Sequence, residues 1–424
     1  MNVTLSATLA ANEEIARRRM AGERVLHMAF GEAGLPVHPS LRERLEASSA
    51  QNGYGPVAGT AKLREAAAGY WARRGLPTDP ELVICGPGSK PLLYALLMAI
   101  GGDIVLPRPS WVSYAAQAEL IGVRPLLLPP PPGEGGVPDP GLVADAVREA
   151  RARGRDVRSL LVTLPDNPTG LLPRPETVHG LVEVARELDL TIISDEIYGD
   201  LVHNPLNRCP SPAALAPERT VITTGLSKSL ALGGWRIGVA RLPDDAHDLR
   251  ASMLAIASEI WSSPAAPIQH AAAYAFSEPV ELVARIADSR RLHATVVRAV
   301  AERFLAAGAA LHMPQGGFYL YPDFGFLTEF ATSDEFAAAL LDRYGVGVLP
   351  GSAFGDDPRA LRVRVATSMM YGETEEQRLA ALDAADPLRL PWIAEALDHL
   401  AEALAGITGN DVGPAARSLA HTSL

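Results

Sequence analysis

The chain has 424 residues, 48% of them hydrophobic and 21% charged, enough to bury a large core and too apolar for a disordered polymer. Its 38 basic and 49 acidic side chains leave a formal charge of −11, which disfavours non-specific nucleic-acid binding. Cys85 and Cys209 are the two cysteines, so no disulfide framework is implied and a reducing cytoplasm is the expected compartment.

The first 20 residues show no basic start leading into an apolar core, so no secretory signal is expected. The longest apolar run, Pro91 to Ile100, is shorter than the ~20 residues that span a bilayer and is expected to be a buried helix. Thr8 to Met20 has helical character, and Val25 to Phe30 is strand-like. The segment Gly31-Glu32-Ala33-Gly34-Leu35-Pro36 is a loop whose backbone can approach a ligand. A second loop, Asn52 to Thr60, carries Tyr54 ahead of a helix with Leu63, Ala67, Tyr70 and Trp71. Glu81 to Cys85 is expected as a strand, followed by Gly86-Pro87-Gly88-Ser89-Lys90 and an apolar helix. Strand, glycine turn and helix N-terminus together make an anion site, because free N–H groups and the positive dipole end converge there. The spacing is neither that of a Walker loop nor G-x-G-x-x-G.

Further strands are expected at Asp103–Leu106, Val123–Leu128, Ser159–Leu164, Leu190–Ser194, Val221–Thr223 and Ile237–Leu242. Trp111 sits on a Pro-flanked turn where it can stack on an aromatic ligand or pack into the core. The arginines between Arg148 and Arg158 look like a solvated helix and turn, given the acidic balance of the chain. The period of Val178, Leu181, Val182, Ala185 and Leu188 is helical. This alternation from about residue 60 to 245 implies a parallel α/β sheet, in which ligands bind beyond the carboxyl ends of the strands. Asn167, Asp195, Tyr198 and Lys228 all fall at such ends. Lys228 stands among small residues in Gly225-Leu226-Ser227-Lys228-Ser229, with Arg236 eight residues on. A lysine nucleophile beside a guanidinium suited to phosphate is what a pyridoxal phosphate (PLP) site requires. Past Gln269 the chain is expected to be helical to Phe304. Strands at Ala310–Met313, Phe318–Tyr321, Val346–Leu349 and Leu361–Ala366 would then form a second, α+β unit, followed by a helix from Trp392 to Ala405 and a loose tail from Gly406.

Taken together, these residues resemble the class I/II aminotransferases, PLP enzymes of fold type I, and especially the bacterial aspartate-aminotransferase-like subgroup. The resemblance runs from about Leu5 to Ala385. It implies a large PLP-binding domain with a mostly parallel seven-stranded sheet over 46–285, and a smaller α+β domain from 1–45 and 286–405. It implies that Lys228 forms a Schiff base with PLP, that Asp195 pairs with the pyridine nitrogen, and that Tyr198 and Asn167 hold the phenolic oxygen. Gly88, Ser89, Lys90, Ser227 and Arg236 would hold the phosphate, Trp111 would stack on the ring, and Tyr54 would reach the phosphate of a neighbouring subunit in a homodimer. Arg362 would bind the substrate α-carboxylate, with Gly34, Asn167, Trp261 and Phe318 lining the substrate position. Asp166 and Arg364 depart from the residue types usual at their places.

The implied activity is transamination between an L-amino acid and a 2-oxo acid; a lyase, cyclase or oxidase on the same fold is the alternative. A regulator carrying a DNA-binding module does not fit, because only about 25 residues precede Val25. Ser6, Thr8 and Lys90 keep residue types that the subgroup places near an acidic side chain. Ile260 and Trp261, where relatives have small hydroxyl residues, argue for a smaller, apolar pocket. On balance a neutral side chain is expected over aspartate.

Overall fold

The computed structural model describes residues 5–207 and 209–409. Its centre is a seven-stranded sheet in the spatial order Val83–Gly86, Gly238–Arg241, Thr220–Gly225, Thr191–Asp195, Val157–Thr163, Asp103–Pro107, Pro125–Leu128. Gly238–Arg241 runs antiparallel to both its neighbours, and the other pairings are parallel. Strands covered on both faces need apolar residues on both sides. Leu161 and Ile193 face a core formed with the helix Ser89–Ile100. Their neighbours Leu160, Val162 and Ile192 face the opposite core, with Val178, Leu181 and Val182 of the helix Pro175–Glu187. The sheet therefore follows the expected strands to within two or three residues at each end.

A further core joins the beginning of the chain to its second half: Leu26, Met28 and Leu35 pack with residues from Leu292 to Ile407. Leu26–His27 pairs in parallel with Val346–Gly347. A three-stranded antiparallel sheet is built from Leu349–Pro350, Val363–Ala366 and Tyr319–Leu320. The strand expected at Ala310–Met313 is reduced to a single bridge between Ala310 and Asp323. The segment runs directly into Pro314, and proline has no N–H to extend a ladder. The last helix runs Pro391–Ile407, past the expected start of the tail at Gly406; residues 410–424 of that tail lie outside the described residues. No helix among the described residues is long and apolar enough to cross a membrane.

Candidate active site

On three neighbouring strands Thr163, Asp195 and Thr223 stand side by side in register. Asp195 is 2% exposed. Its Oδ2 accepts from the Tyr114 hydroxyl at 2.8 Å and its Oδ1 from Thr223 Oγ1 at 3.2 Å. Burial pushes this carboxyl up to about 6, against the pull of those hydrogen bonds and of Lys228. A buried carboxylate raised in this way calls for a cationic partner from a ligand.

The strand Thr220–Gly225 leads straight into a helical turn, Leu226–Ser229, that carries Lys228. Burial, reinforced by the charge of Arg364, lowers the Lys228 ammonium to about 8, while Glu32 and Asp195 oppose the shift. Nζ donates to the Gly31 carbonyl at 2.5 Å. Arg236 has a left-handed backbone (φ 53°, ψ 59°) that turns its guanidinium back onto the Gly233 and Pro87 carbonyls. It rests against Gly88, where a Cβ would come within 2.5 Å of Nη2. Gly88 is the N-cap of Ser89–Ile100 and supplies no side-chain cap, so the first N–H groups of that helix remain free to bind an anion.

These groups surround a cavity of about 620 Å³. Its walls bring together Ser89, Lys90, Trp111, Asn167, Asp195, Tyr198, Ser227, Lys228 and Arg236, all expected from the sequence. Trp111 stands edge-to-face with Tyr114 at 5.2 Å between ring centroids. The walls also include Ser6, Thr8, Leu9, Glu32, Tyr319 and Arg364.

Five expected residues lie elsewhere. Arg362 is not in the cavity wall: its side chain is 40% exposed and ion-paired with Asp323 at 2.8 Å and Asp356 at 3.1 Å. The arginine that joins Arg236 in the wall is Arg364, 1% exposed, which donates to Ala29 O and, at 3.4 Å, to Asn167 Oδ1. Its Nε is buried without a partner. Phe318 is sealed in the core against Tyr198 and His293, and its neighbour Tyr319 faces the cavity because successive strand residues point to opposite sides. Gly34 serves a tight backbone packing, since a Cβ there would meet Ser368 O at 2.7 Å; the glycines in the wall are Gly31, Gly233 and Gly234. Trp261 packs on the helix side of the sheet and Ile260 is half exposed, so neither narrows the cavity of its own chain. Tyr54 is 94% exposed and away from its own chain's cavity.

Sequence reasoning missed Tyr114 and Tyr319. Tyr114 stands three residues beyond Trp111, at the spacing that puts two side chains on one helix face. Tyr319 had only its adjacency to Phe318 to mark it.

The family profile described as aminotransferase class I and II matches residues 30–376. The aspartate aminotransferase of Geobacillus stearothermophilus is 33% identical over 392 residues, covering 89% of this chain and 96% of that protein. A probable aspartate/prephenate aminotransferase of Thermus aquaticus is 32% identical over 355 residues, covering 82% and 89%. Among solved structures, the Thermus thermophilus aspartate aminotransferase with maleate superposes with a TM-score of 0.81 at 28% identity, covering 94% of this chain and 97% of that one. Sheet order, the lysine at the strand exit and these matches agree: the chain belongs to the class I and II aminotransferases, which are PLP-dependent enzymes.

Proposed function

We propose that this aminotransferase takes an acidic L-amino acid, aspartate or glutamate, as amino donor and a 2-oxo acid as acceptor. One observation carries the choice of side chain. Thr8 Oγ1 is buried with no hydrogen-bond partner, and Lys90, in the same cavity, has no ion pair among the described residues. Burial and the charge of Arg236 lower the Lys90 ammonium. A carboxylate on the substrate side chain satisfies both groups, and Ser6 adds a third donor. This reverses the expectation of a neutral side chain, which rested on Ile260 and Trp261. The dicarboxylate maleate named with the Thermus structure supports the same reading.

The donor set fits PLP. Asp195 would take the protonated pyridine nitrogen, Tyr198 and Asn167 the ring oxygen, and Trp111 the ring face. The phosphate would lie against the free N–H groups of Ser89 and Lys90, with Ser227 and Arg236. Arg364 with Asn167 would bind the substrate α-carboxylate, which gives the unpaired Nε a partner. When bound, the cofactor supplies an electron sink for the charge released at the substrate Cα and a carbonyl carbon that carries the amino group. Lys228 Nζ, depressed to about 8 by burial, has an appreciable neutral fraction near pH 7–8 and serves to take the Cα proton and return it. Arg364 fixes the Cα substituents relative to Lys228 by holding the carboxylate in one plane.

Half-reaction specificity constants for aspartate and for leucine or phenylalanine test the proposal. Aspartate should lead by about tenfold or more, and Lys90→Ala should cut the aspartate value by about 10–100-fold while moving leucine within about threefold. A wild-type lead for leucine or phenylalanine refutes the acidic assignment.

A further inference from the structure

Tyr198 and Tyr319 are both buried, 3% and 1% exposed. Their hydroxyls are 2.9 Å apart and their rings meet edge-to-face at 5.5 Å. The Tyr319 hydroxyl also lies 3.3 Å from the Gly31 carbonyl, the same oxygen that accepts from Lys228. Gly31 permits this approach, since a Cβ there would stand 2.1 Å from the Tyr319 oxygen. Burial raises both phenols above their ordinary range, so each keeps its single hydrogen.

Counting hydrogens leaves two polarities for the Tyr198–Tyr319 contact. If Tyr198 donates to Tyr319, and Tyr319 to Gly31, the hydrogen of Tyr198 points into the protein and no ligand receives it. If Tyr319 donates to Tyr198, the hydrogen of Tyr198 is free for an oxygen in the cavity. In the second arrangement the Tyr319 hydrogen takes the shorter of the two contacts open to it, 2.9 Å against 3.3 Å, and leaves Gly31 O to Lys228. We propose that Tyr319 is a positioning residue that donates to Tyr198 Oη and so keeps the Tyr198 hydrogen directed at the cofactor's ring oxygen. This rests on the roles given above to Lys228 and Tyr198.

A hydroxyl that accepts a hydrogen bond becomes a stronger donor. Tyr319 therefore helps Tyr198 stabilise the ring oxygen as an anion, which lowers the pH at which the nitrogen linking Lys228 to the cofactor gains its proton. The test is a spectrophotometric pH titration of the substrate-free holoenzyme, which needs no turnover. Wild type, Tyr319→Phe, Tyr198→Phe and the double variant are compared, with Lys228→Ala as the control for the visible band. Tyr319→Phe keeps the ring and its packing; it should raise the midpoint by about half a pH unit, a roughly threefold change in proton affinity. Tyr198→Phe should raise it further, and the double variant should match Tyr198→Phe alone. An unchanged or lowered midpoint in Tyr319→Phe, or full additivity in the double variant, overturns the proposal. A wild-type band that does not titrate, or that survives Lys228→Ala, overturns the Lys228 assignment and the proposal with it.

Discussion

The two arginines of Leu361-Arg362-Val363-Arg364 divide into Arg362, ion-paired outside the cavity, and Arg364, in its wall and proposed above to bind the α-carboxylate. On the proposed role, Arg364→Ala should lower kcat/KM by about 1,000-fold, because a buried guanidinium partner for the α-carboxylate would be lost. Arg362→Ala should leave kcat/KM within a few-fold of wild type and cost about 1–2 kcal/mol of stability, from Asp323 and the buried Asp356 losing their partner. Steady-state kinetics alongside thermal unfolding distinguishes the two, and the reverse pattern restores Arg362 to the substrate. The sequence could not separate them because residues two apart in a strand share a face, and spacing alone does not say how far along the strand the cavity lies. That depends on pairing: Arg362 bridges to Asp323 at the end of the strand, whereas Arg364 stands opposite Leu349. The Phe318 and Tyr319 exchange is the one-residue version of the same ambiguity, which turns a side chain to the other face. Lys228, Asp195, Tyr198, Asn167 and Trp111 were legible as residues of the cavity wall because each stands at a strand end or shortly after one, where sequence position and place in the fold coincide.

At the level of the element, the turn Pro165-Asp166-Asn167-Pro168-Thr169-Gly170 presents Asn167 to the cavity at the cost of burying its neighbour. Asp166 is 2% exposed. Its Oδ2 accepts from the Thr169 N–H and hydroxyl, while its Oδ1 has no partner. Burial raises this carboxyl to about 7, and the hydrogen bonds from Thr169 and Asn167 only partly offset the rise. The unfolded value is near 4. Because the folded value is the higher, the contribution of Asp166 to stability is fully present below about pH 4 and is lost as pH rises through about 7. Asp166→Asn, uncharged in the same shape, should therefore raise stability by about 1–3 kcal/mol at pH 8.5 and by little at pH 5. Melting curves at both pH values check this, and an equal gain at each would mean that Asp166 titrates as an ordinary carboxyl. Elements buried on both faces were readable from their continuous apolar runs. The strands of the second sheet were expected in the right places, at Phe318–Tyr321, Val346–Leu349 and Leu361–Ala366, but not their ends, since two-residue pairings such as Tyr319–Leu320 are set by their partners and not by local pattern.

For the whole molecule, the exposure of Tyr54 sets the question of what surrounds it. A tyrosine 94% exposed in a single chain, in the loop before the Thr60-capped helix Ala61–Arg73, has no role in its own cavity. In a homodimer with shared sites it would complete the partner's phosphate pocket. Hybrids of Tyr54→Phe and Lys228→Ala subunits should then contain one site with both defects and one with neither, and so show half the wild-type activity per dimer. Hybrids no more active than the mean of the two parents would place Tyr54 outside any shared site. The arginines between Arg148 and Arg158, expected to form a solvated helix and turn, have Arg148, Arg153, Arg155 and Arg158 each paired with a carboxylate.

Ser6, Thr8 and Leu9 belong to the cavity wall, although they lie at the very start of the described chain. Ser6 occupies the N-cap of Ala7–Met20 without using its hydroxyl to cap it, so the group is left facing the chamber. For anyone preparing the protein, this makes the choice of expression vector a chemical decision. A purification handle or fusion partner joined ahead of Ser6 is attached within a few residues of the cavity wall, and a screen run on tagged material scores the tag together with the enzyme. Removing the handle without leaving extra residues takes that variable away before any specificity is compared.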